Sequence, residues 1–386
     1  MERRDTAQIR LGMVGGGRDA FIGGVHRIAS RIDDRFELVA GCFSSTAEKS
    51  KASGADLGLD PARVYGDFSE MAASEAARDD GIEAVAIVTP NHMHLPPARE
   101  FLSRNIHVIC DKPLSATLDE ARDLVALVEE NDAVFVLTHN YSGYPMMRQA
   151  REMVAKDELG TIRVVQAEYP QGWLATALEE SEHKQASWRT DPARSGAGGC
   201  IGDIGTHAFH IASFVTGLSV DQLSADLQSF VSGRRLDDNA QVLLRYEGGA
   251  RGMIWASQVA VGCENGLKLR VYGTKAGIEW AQEDPNYLWY SPLTGPKQLL
   301  TRAGAGATDA GNSVVRIPAG HPEGYLEGFA TIYADAADAI RAHQAGLPRP
   351  DHVLCPTIDD GLTGVAFVDA CVRSSAQDAA WVRLDK

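Results

Sequence analysis

The tightest constraint on this chain is a short apolar strand, Ile9–Val14, that runs straight into three successive glycines. A strand that ends in glycine can turn sharply, and here a helix-like stretch follows the turn through Ile32. The alternation then continues. Phe36–Phe43, Ala84–Val88, His107–Cys110 and Phe135–Thr138 read as strands, and Leu118–Glu130 has helical periodicity. Apolar strands alternating with helices indicate a parallel sheet covered on both faces. Residues 1–138 are therefore expected to form a Rossmann-like α/β domain.

Beyond about residue 150 the texture changes. Ile162–Tyr169, Ala225–Val231, Gln241–Tyr246, Arg251–Gln258, Lys268–Tyr272 and Gly277–Trp280 are short strands in close succession, joined by turns such as Glu247-Gly248-Gly249. Such spacing suits antiparallel hairpins. A helix is expected over Asp203–Thr216, a loop or flexible excursion over Gly295–Gly320, and two closing helices over Gly324–Ala345 and Thr357–Ser375. Residues 139–386 are expected to form one α+β domain with a large, mostly antiparallel sheet.

Composition narrows the function classes. A net charge of −15 argues against nucleic acid, whose phosphates need clustered Lys and Arg. No apolar run approaches the roughly 20 residues that span a bilayer. The charged start, MERRDTAQIR, lacks the apolar region and cleavage site of a secretory signal, so a cytoplasmic location is expected. The six cysteines are scattered with no CxxC pair, which points to ordinary buried thiols and to no metal site.

The segment Leu11–Ile22 fits G-x-G-x-x-A, with Gly15, Gly17 and Ala20 in the small positions and Phe21 and Ile22 opening the helix. Its chemistry is a tight turn, close backbone approach to a pyrophosphate, and close helix–strand packing. NAD sites usually offer a carboxylate at the end of the second strand, but here Ser44 and Ser45 stand there, with Lys49 nearby. Hydroxyls and a cation without a carboxylate lean slightly to NADP, with NAD still open. The alternative is that both serines cap a helix.

Three further segments carry a family resemblance. Thr89-Pro90-Asn91-His92-Met93-His94, after the third strand, resembles the T-P-N-x-x-H turn of the glucose-fructose oxidoreductase/inositol dehydrogenase (Gfo/Idh/MocA) family. Asp111-Lys112-Pro113 is similar to its E-K-P motif, with Asp for Glu. Gly198–His207 is similar to its G-G-G-x-x-x-D-x-G-x-H signature, with Ala197 in place of the first glycine. The resemblance implies that Thr89, Pro90, Asn91, His94, Asp111 and Lys112 line the cofactor, and that Lys112, Asp203 and His207 converge on the nicotinamide.

These residue types suit oxidation of a secondary alcohol. His207 titrates near neutrality and can take the hydroxyl proton. Lys112 places a cation beside the reacting oxygen, or competes as the base. Asp203, four residues before His207, orients the imidazole, binds a substrate hydroxyl, or caps the helix that it precedes. Trp188 and Arg189, Asn140 and Tyr141, and His321 and Tyr325 are further substrate-contact candidates, each equally open to a packing role. The expected substrate is a sugar, cyclitol or glycoside. The rivals are a redox-assisted glycosidase or eliminase that retains its NAD, and a dinucleotide sensor. The resemblance also implies a homodimer or homotetramer.

Overall fold

The computed structural model describes residues 7–18, 20–181 and 183–386. Residues 1–6 of the charged amino terminus and Asp19 of the glycine segment lie outside the described residues. The chain divides into two compact units. One comprises Met1–Ser115, Glu120–Asn140 and Tyr325–Gly361, the other Ala116–Asp119, Tyr141–Gly324 and Leu362–Lys386.

In the first unit β1 (Ile9–Gly15), α1 (Phe21–Ile32), β2 (Phe36–Cys42), α2 (Ala47–Asp56), α3 (Phe68–Ala76), β3 (Ala84–Val88), α4 (Leu95–Leu102), β4 (His107–Cys110), α5 (Leu118–Glu130) and β5 (Phe135–Leu137) follow one another. The strands pair in parallel, in the order β2-β1-β3-β4-β5. Every residue of β3 and β4 is buried, which is why both read as continuous apolar runs. Strand order reverses between β1 and β3. In an open parallel sheet, the crevice at the carboxyl ends of such a pair is where ligands bind.

The second unit opens with α6 (Pro145–Ala155), β6 (Ile162–Pro170), α7 (Lys184–Arg189), α8 (Pro192–Ser195) and α9 (Thr206–Thr216). Then come β7 (Val220–Gln228), β8 (Asn239–Tyr246), β9 (Arg251–Ser257), β10 (Lys268–Gly273), β11 (Ala276–Ala281), β12 (Tyr287–Pro292), β13 (Gln298–Thr301) and α10 (Asp309–Asn312). With β14 (Val382–Arg383) the sheet runs β13-β12-β11-β10-β6-β9-β8-β7-β14, antiparallel except for the β6–β9 pair. Helix α9, almost wholly buried, packs on β6, β9 and β10. β7 ends before the expected Val231, because the Asp238 carboxylate takes the N–H groups of Phe230 and Val231 at 2.9 and 3.0 Å.

Two expectations need correction. The stretch 295–320, read as a loop, contains β13 and α10, and it is tied down by Arg302, which is 3% exposed. The Arg302 guanidinium donates to the carbonyls of Ile317, Pro318 and His321, to Asn286 and to Glu323. Small residues made the segment look like a linker, whereas one buried five-donor fork organises it. The helix α11 (Tyr325–Gln344), expected in the second domain with all of 139–386, belongs to the first unit. Its Phe329, Ile332, Tyr333, Ala336 and Ile340 share a core with Val25 and Ala29 of α1 and with Ile9 and Leu11 of β1. The last long helix, α12 (Ile358–Ser375), stacks Phe367 on Phe209 of α9 at 4.2 Å. Among the described residues no helix is long and apolar enough to cross a membrane.

Candidate active site

The glycine loop is squeezed between the ends of both strands that flank β1. A Cβ on Gly15 would stand 2.9 Å from the carbonyl oxygen of Val88, and one on Gly17 2.6 Å from that of Phe43. Gly15 and Gly16 also have φ of +84° and +70°, a region that favours glycine. A Cβ on Gly23 would come within 2.3 Å of the Gly16 Cα. The close helix–loop contact expected at Ala20 is thus made by Gly16 and Gly23. Ala20 is instead the extended residue before α1, whose first turn has no side-chain cap and no acidic residue. A cradle without side chains in front of uncapped N–H groups fits a pyrophosphate. Gly15 and Gly17 lie in this loop, and Phe21 and Ile22 open the helix.

At the end of β2, Ser45 and Lys49 are exposed and Ser44 is half-buried. The serines do not cap α2. The residue before that helix is Thr46, which makes no side-chain cap, and Ser44 Oγ accepts the Thr46 N–H, at 3.4 Å. The Thr89 turn touches the glycine loop, since a Cβ on Gly15 would also meet Thr89 Cγ2 at 3.0 Å. His94, expected to line the cofactor, is wholly buried, with Nδ1 2.7 Å from the Pro113 carbonyl and Nε2 2.9 Å from that of Thr89. Burial pushes its pKa down. It ties the Thr89 turn to the turn after β4 and has no ring nitrogen left for a nucleotide.

Asp111 also turns inward. Its Oδ1 accepts the Lys112 N–H at 2.9 Å and the Thr138 hydroxyl at 3.0 Å. Burial raises its pKa, but His26, Lys112 and His94 more than offset this and hold it at about 2. Asp111 is thus an anion that supports the half-buried Lys112 rather than an arm toward the cofactor.

In the second unit, a π turn over Ile201–Gly205 leads into α9. Asp203 does not cap this helix: it lies inside the turn and donates its own N–H to the Gly199 carbonyl at 2.9 Å. The cap comes from Asp237, whose carboxylate takes the N–H groups of Gly199 and Ile201 at 2.6 and 2.8 Å. The Asp203 carboxylate instead takes side-chain donors, Arg189 Nε and Gln258 Nε2, at 3.0 and 2.9 Å. Arg189 also lies over the Trp188 indole, 4.4 Å from the ring centroid, and both reach Gln185. Two residues singled out for substrate thus fix a third.

His207, 7% exposed, sits edge-on to two phenols, with ring centroids 5.0 Å from Tyr141 and 6.1 Å from Tyr169. The phenol oxygens of Tyr141 and Tyr169 are 2.5 Å apart, and the Tyr169 hydroxyl donates to Asn265 at 2.7 Å. Burial pushes the Tyr141 phenol up, so it stays protonated beside the imidazole. In the first unit Asn140 is 2% exposed, and among the described residues its Nδ2 has no hydrogen-bond partner. His321 is exposed, with Nδ1 3.3 Å from the Pro318 carbonyl, and Tyr325 packs on Phe329 at 5.2 Å. Among the described residues no three His, Cys, Asp or Glu side chains are grouped to hold a metal.

Residues 9–139 match the pattern described as "Oxidoreductase family, NAD-binding Rossmann fold", and residues 147–279 match the "GFO/IDH/MocA C-terminal domain". An uncharacterized oxidoreductase, YfiI, of Bacillus subtilis is 39% identical over 99% of this chain and 98% of its own. The chain belongs to the Gfo/Idh/MocA oxidoreductase family. The crystal structure of an oxidoreductase from Sinorhizobium meliloti is 58% identical with a TM-score of 0.90, covering 98% of this chain and 100% of that one. An inositol dehydrogenase homolog from Azotobacter vinelandii, complexed with NAD+, is 38% identical with a TM-score of 0.94, over 98% of both chains. It has also been solved with NADH and myo-inositol.

As a Gfo/Idh/MocA oxidoreductase, the chain carries an NAD-binding Rossmann domain. Several residues of its site are not apparent from sequence. Gly16 was readable as the middle of three glycines, and Gly23 as half of a glycine pair inside a helix. Tyr169, Gln258, Asn265 and Asp237 carry no local signal, because only the folded sheet brings them to α9.

Proposed function

We propose that this chain is a reversible NAD(P)-dependent dehydrogenase that moves hydride between a secondary hydroxyl of a sugar or cyclitol and the nicotinamide. The observation that carries the reading is the make-up of the second unit's cluster. An imidazole stands between two phenols, with Asp203 fixed by a guanidinium and a primary amide. Groups of this kind suit a ring that presents several hydroxyls.

The nicotinamide, when bound, takes or returns the hydride at C4. His207 takes the hydroxyl proton, and the protonated Tyr141 beside it holds the imidazole edge-on. Lys112 sets a positive charge against the oxygen as alkoxide character develops. Asp203 accepts hydrogen bonds from neighbouring hydroxyls of the ring, and Asn140 offers its buried amide. Trp188 offers an indole face to C–H groups, while His321 and Tyr325 serve as outer contacts. No carboxylate stands at 44–46 to repel a 2′-phosphate, but the relatives' complexes contain NAD, so both cofactors belong in the test. The reading includes self-association through the open face of the large sheet, where Trp289 lies opposite Leu299 and Met253 opposite Leu243, all exposed.

The test is nicotinamide absorbance during turnover with NAD or NADP and a panel that begins with inositols and continues to sugars and glycosides. Turnover with one cofactor, lost in Lys112→Ala and His207→Ala, supports the dehydrogenase. Bond cleavage in a glycoside with no net cofactor change would replace it with the redox-assisted lyase. Cofactor binding without chemistry on any substrate would leave a sensor.

A further inference from the structure

A row of hydrogen bonds in the second unit runs from a tryptophan to the phenol pair beside His207. Trp173 Nε1 donates to Gln171 Oε1 at 3.0 Å, and Gln171 Nε2 donates to Asn265 Oδ1 at 2.8 Å. The same Asn265 oxygen takes the Tyr169 hydroxyl at 2.7 Å, and the Tyr169 and Tyr141 oxygens are 2.5 Å apart. On its other side Asn265 Nδ2 donates to Gln282 Oε1 at 3.1 Å.

The direction of this row is set at its far end. An indole N–H donates and never accepts, so Gln171 turns its oxygen to Trp173 and its amide N–H to Asn265. Asn265 must answer with its oxygen, because its own N–H there would face that of Gln171. The Tyr169 hydroxyl meets the same oxygen and gives its proton to it. The proton in the short contact between the phenols therefore belongs to Tyr141 and points at Tyr169. Burial pushes the Tyr141 phenol up, so the proton stays on it. The row is no exit for protons, since the Asn265 amide relays none. What it transmits is orientation.

We propose that Trp173 and Gln171 are positioning residues for Tyr141: they fix the phenol pair so that Tyr141 offers a ligand lone pairs and no proton. The group seated against Tyr141 is then a donor, a ring hydroxyl, and a group of similar size that only accepts is turned away. The assignment rests on the dehydrogenase reading, in which His207 faces the hydroxyls of the ring. The Tyr141 ring lies edge-on to that imidazole, with centroids 5.0 Å apart. The Asp203 carboxylate is likewise an acceptor, so both groups ask the ring for hydroxyls that donate.

The test takes the monodeoxy and monodeoxyfluoro analogues of the ring that the protein turns over and reads kcat/KM for each. Fluorine is close to a hydroxyl in size and donates nothing. At the ring position seated on Tyr141, the fluoro analogue should lose at least as much as the deoxy one, about fivefold or more. Gln171→Glu presents only acceptors. It forces Asn265 to turn over, with Gln282 in step, so that Tyr169 donates to Tyr141 and Tyr141 donates to the ligand. There the fluoro analogue should recover about fivefold relative to the deoxy one. Trp173→Phe leaves Gln171 able to turn and should narrow the gap between the two analogues. A purely structural role would lower kcat/KM for every analogue alike and leave their ratio fixed. Neutron diffraction from the full-length protein after deuterium exchange reads the polarity directly. The deuteron between the phenols should sit on the Tyr141 oxygen, and that facing Asn265 on Tyr169.

Unchanged fluoro-to-deoxy ratios in both variants, or a Tyr169 deuteron that points at Tyr141, would overturn the proposal. The two readings fail separately. Deuterons as described in a protein that turns over no ring would sink the dehydrogenase and keep the fixed polarity, while turnover with the deuterons reversed would do the opposite.

Discussion

Arg189 donates through Nε to the Asp203 carboxylate at 3.0 Å, so the residue proposed to read substrate hydroxyls is itself held by a side chain on α7. A carboxylate with two fixed donors keeps its remaining lone pairs aimed in set directions. Arg189→Met removes the charged donor and keeps the Gln258 amide. Since hydrogen bonds to charged groups are worth about 1.5–3 kcal/mol, kcat/KM for the ring substrate should fall about tenfold to a hundredfold. The dissociation constant for NAD, followed by fluorescence titration, should stay where it is.

The contact between Gly16 and Gly23 leaves no room for a methyl group. In Gly23→Ala the new carbon would meet Gly16 Cα at 2.3 Å, so α1 must retreat from the nucleotide loop. NAD affinity should weaken at least about tenfold, with a stability loss of about 1–3 kcal/mol. Gly24→Ala is the control, because the nearest atom to its Cβ is the end of the Arg27 side chain at 4.0 Å. Equal effects of the two substitutions in calorimetric titration would count against this account.

Arg302 should be among the most costly positions to alter. Arg302→Met leaves Glu323 buried without its cation and strands the carbonyls of Ile317, Pro318 and His321. Breaking a buried ion pair from one side costs about 3–5 kcal/mol. Urea unfolding gives the size of the loss, and limited proteolysis should open new cleavage sites between 302 and 321.

Acid sensitivity should trace in part to His107. It is 5% exposed, and its Nδ1 accepts the Val134 N–H at 3.0 Å, a bond that a protonated ring cannot make. Burial, with the neighbouring His343, pushes its pKa down to about 4. The unfolded chain therefore binds a proton near pH 6.5 that the folded chain refuses. Stability present above that pH drains away as pH falls toward 4, at about 1.4 kcal/mol per pH unit. His107→Gln should flatten this part of the stability curve, measured by urea unfolding between pH 7.5 and 4.5.

Local pattern and global fold agree through most of the first unit. Each strand there is a short apolar run flanked by a turn, so periodicity alone located them. The glycine loop was legible because a phosphate cradle is built from contiguous residues. Other parts were hidden for a physical reason. Arg302 organises the segment after it through backbone carbonyls, which any residue type supplies. Asp237 caps a helix whose first residues lie far from it in sequence, so no capping pattern precedes that helix. The motif residues Lys112, Asp203 and His207 stood out, but what Asp111 and His94 do was decided by burial.

Asp203 lies in a π turn and His207 in the α-helix that follows it. The wider turn breaks the register between them, so the carboxylate is aimed by Arg189 and Gln258, whereas the imidazole is fixed by a helix packed on the sheet. On the proposed function, selection can therefore redraw which pattern of hydroxyls is read at 203 while leaving proton transfer at 207 untouched. The extra residue in that turn would then be the joint at which specificity and catalysis evolve apart.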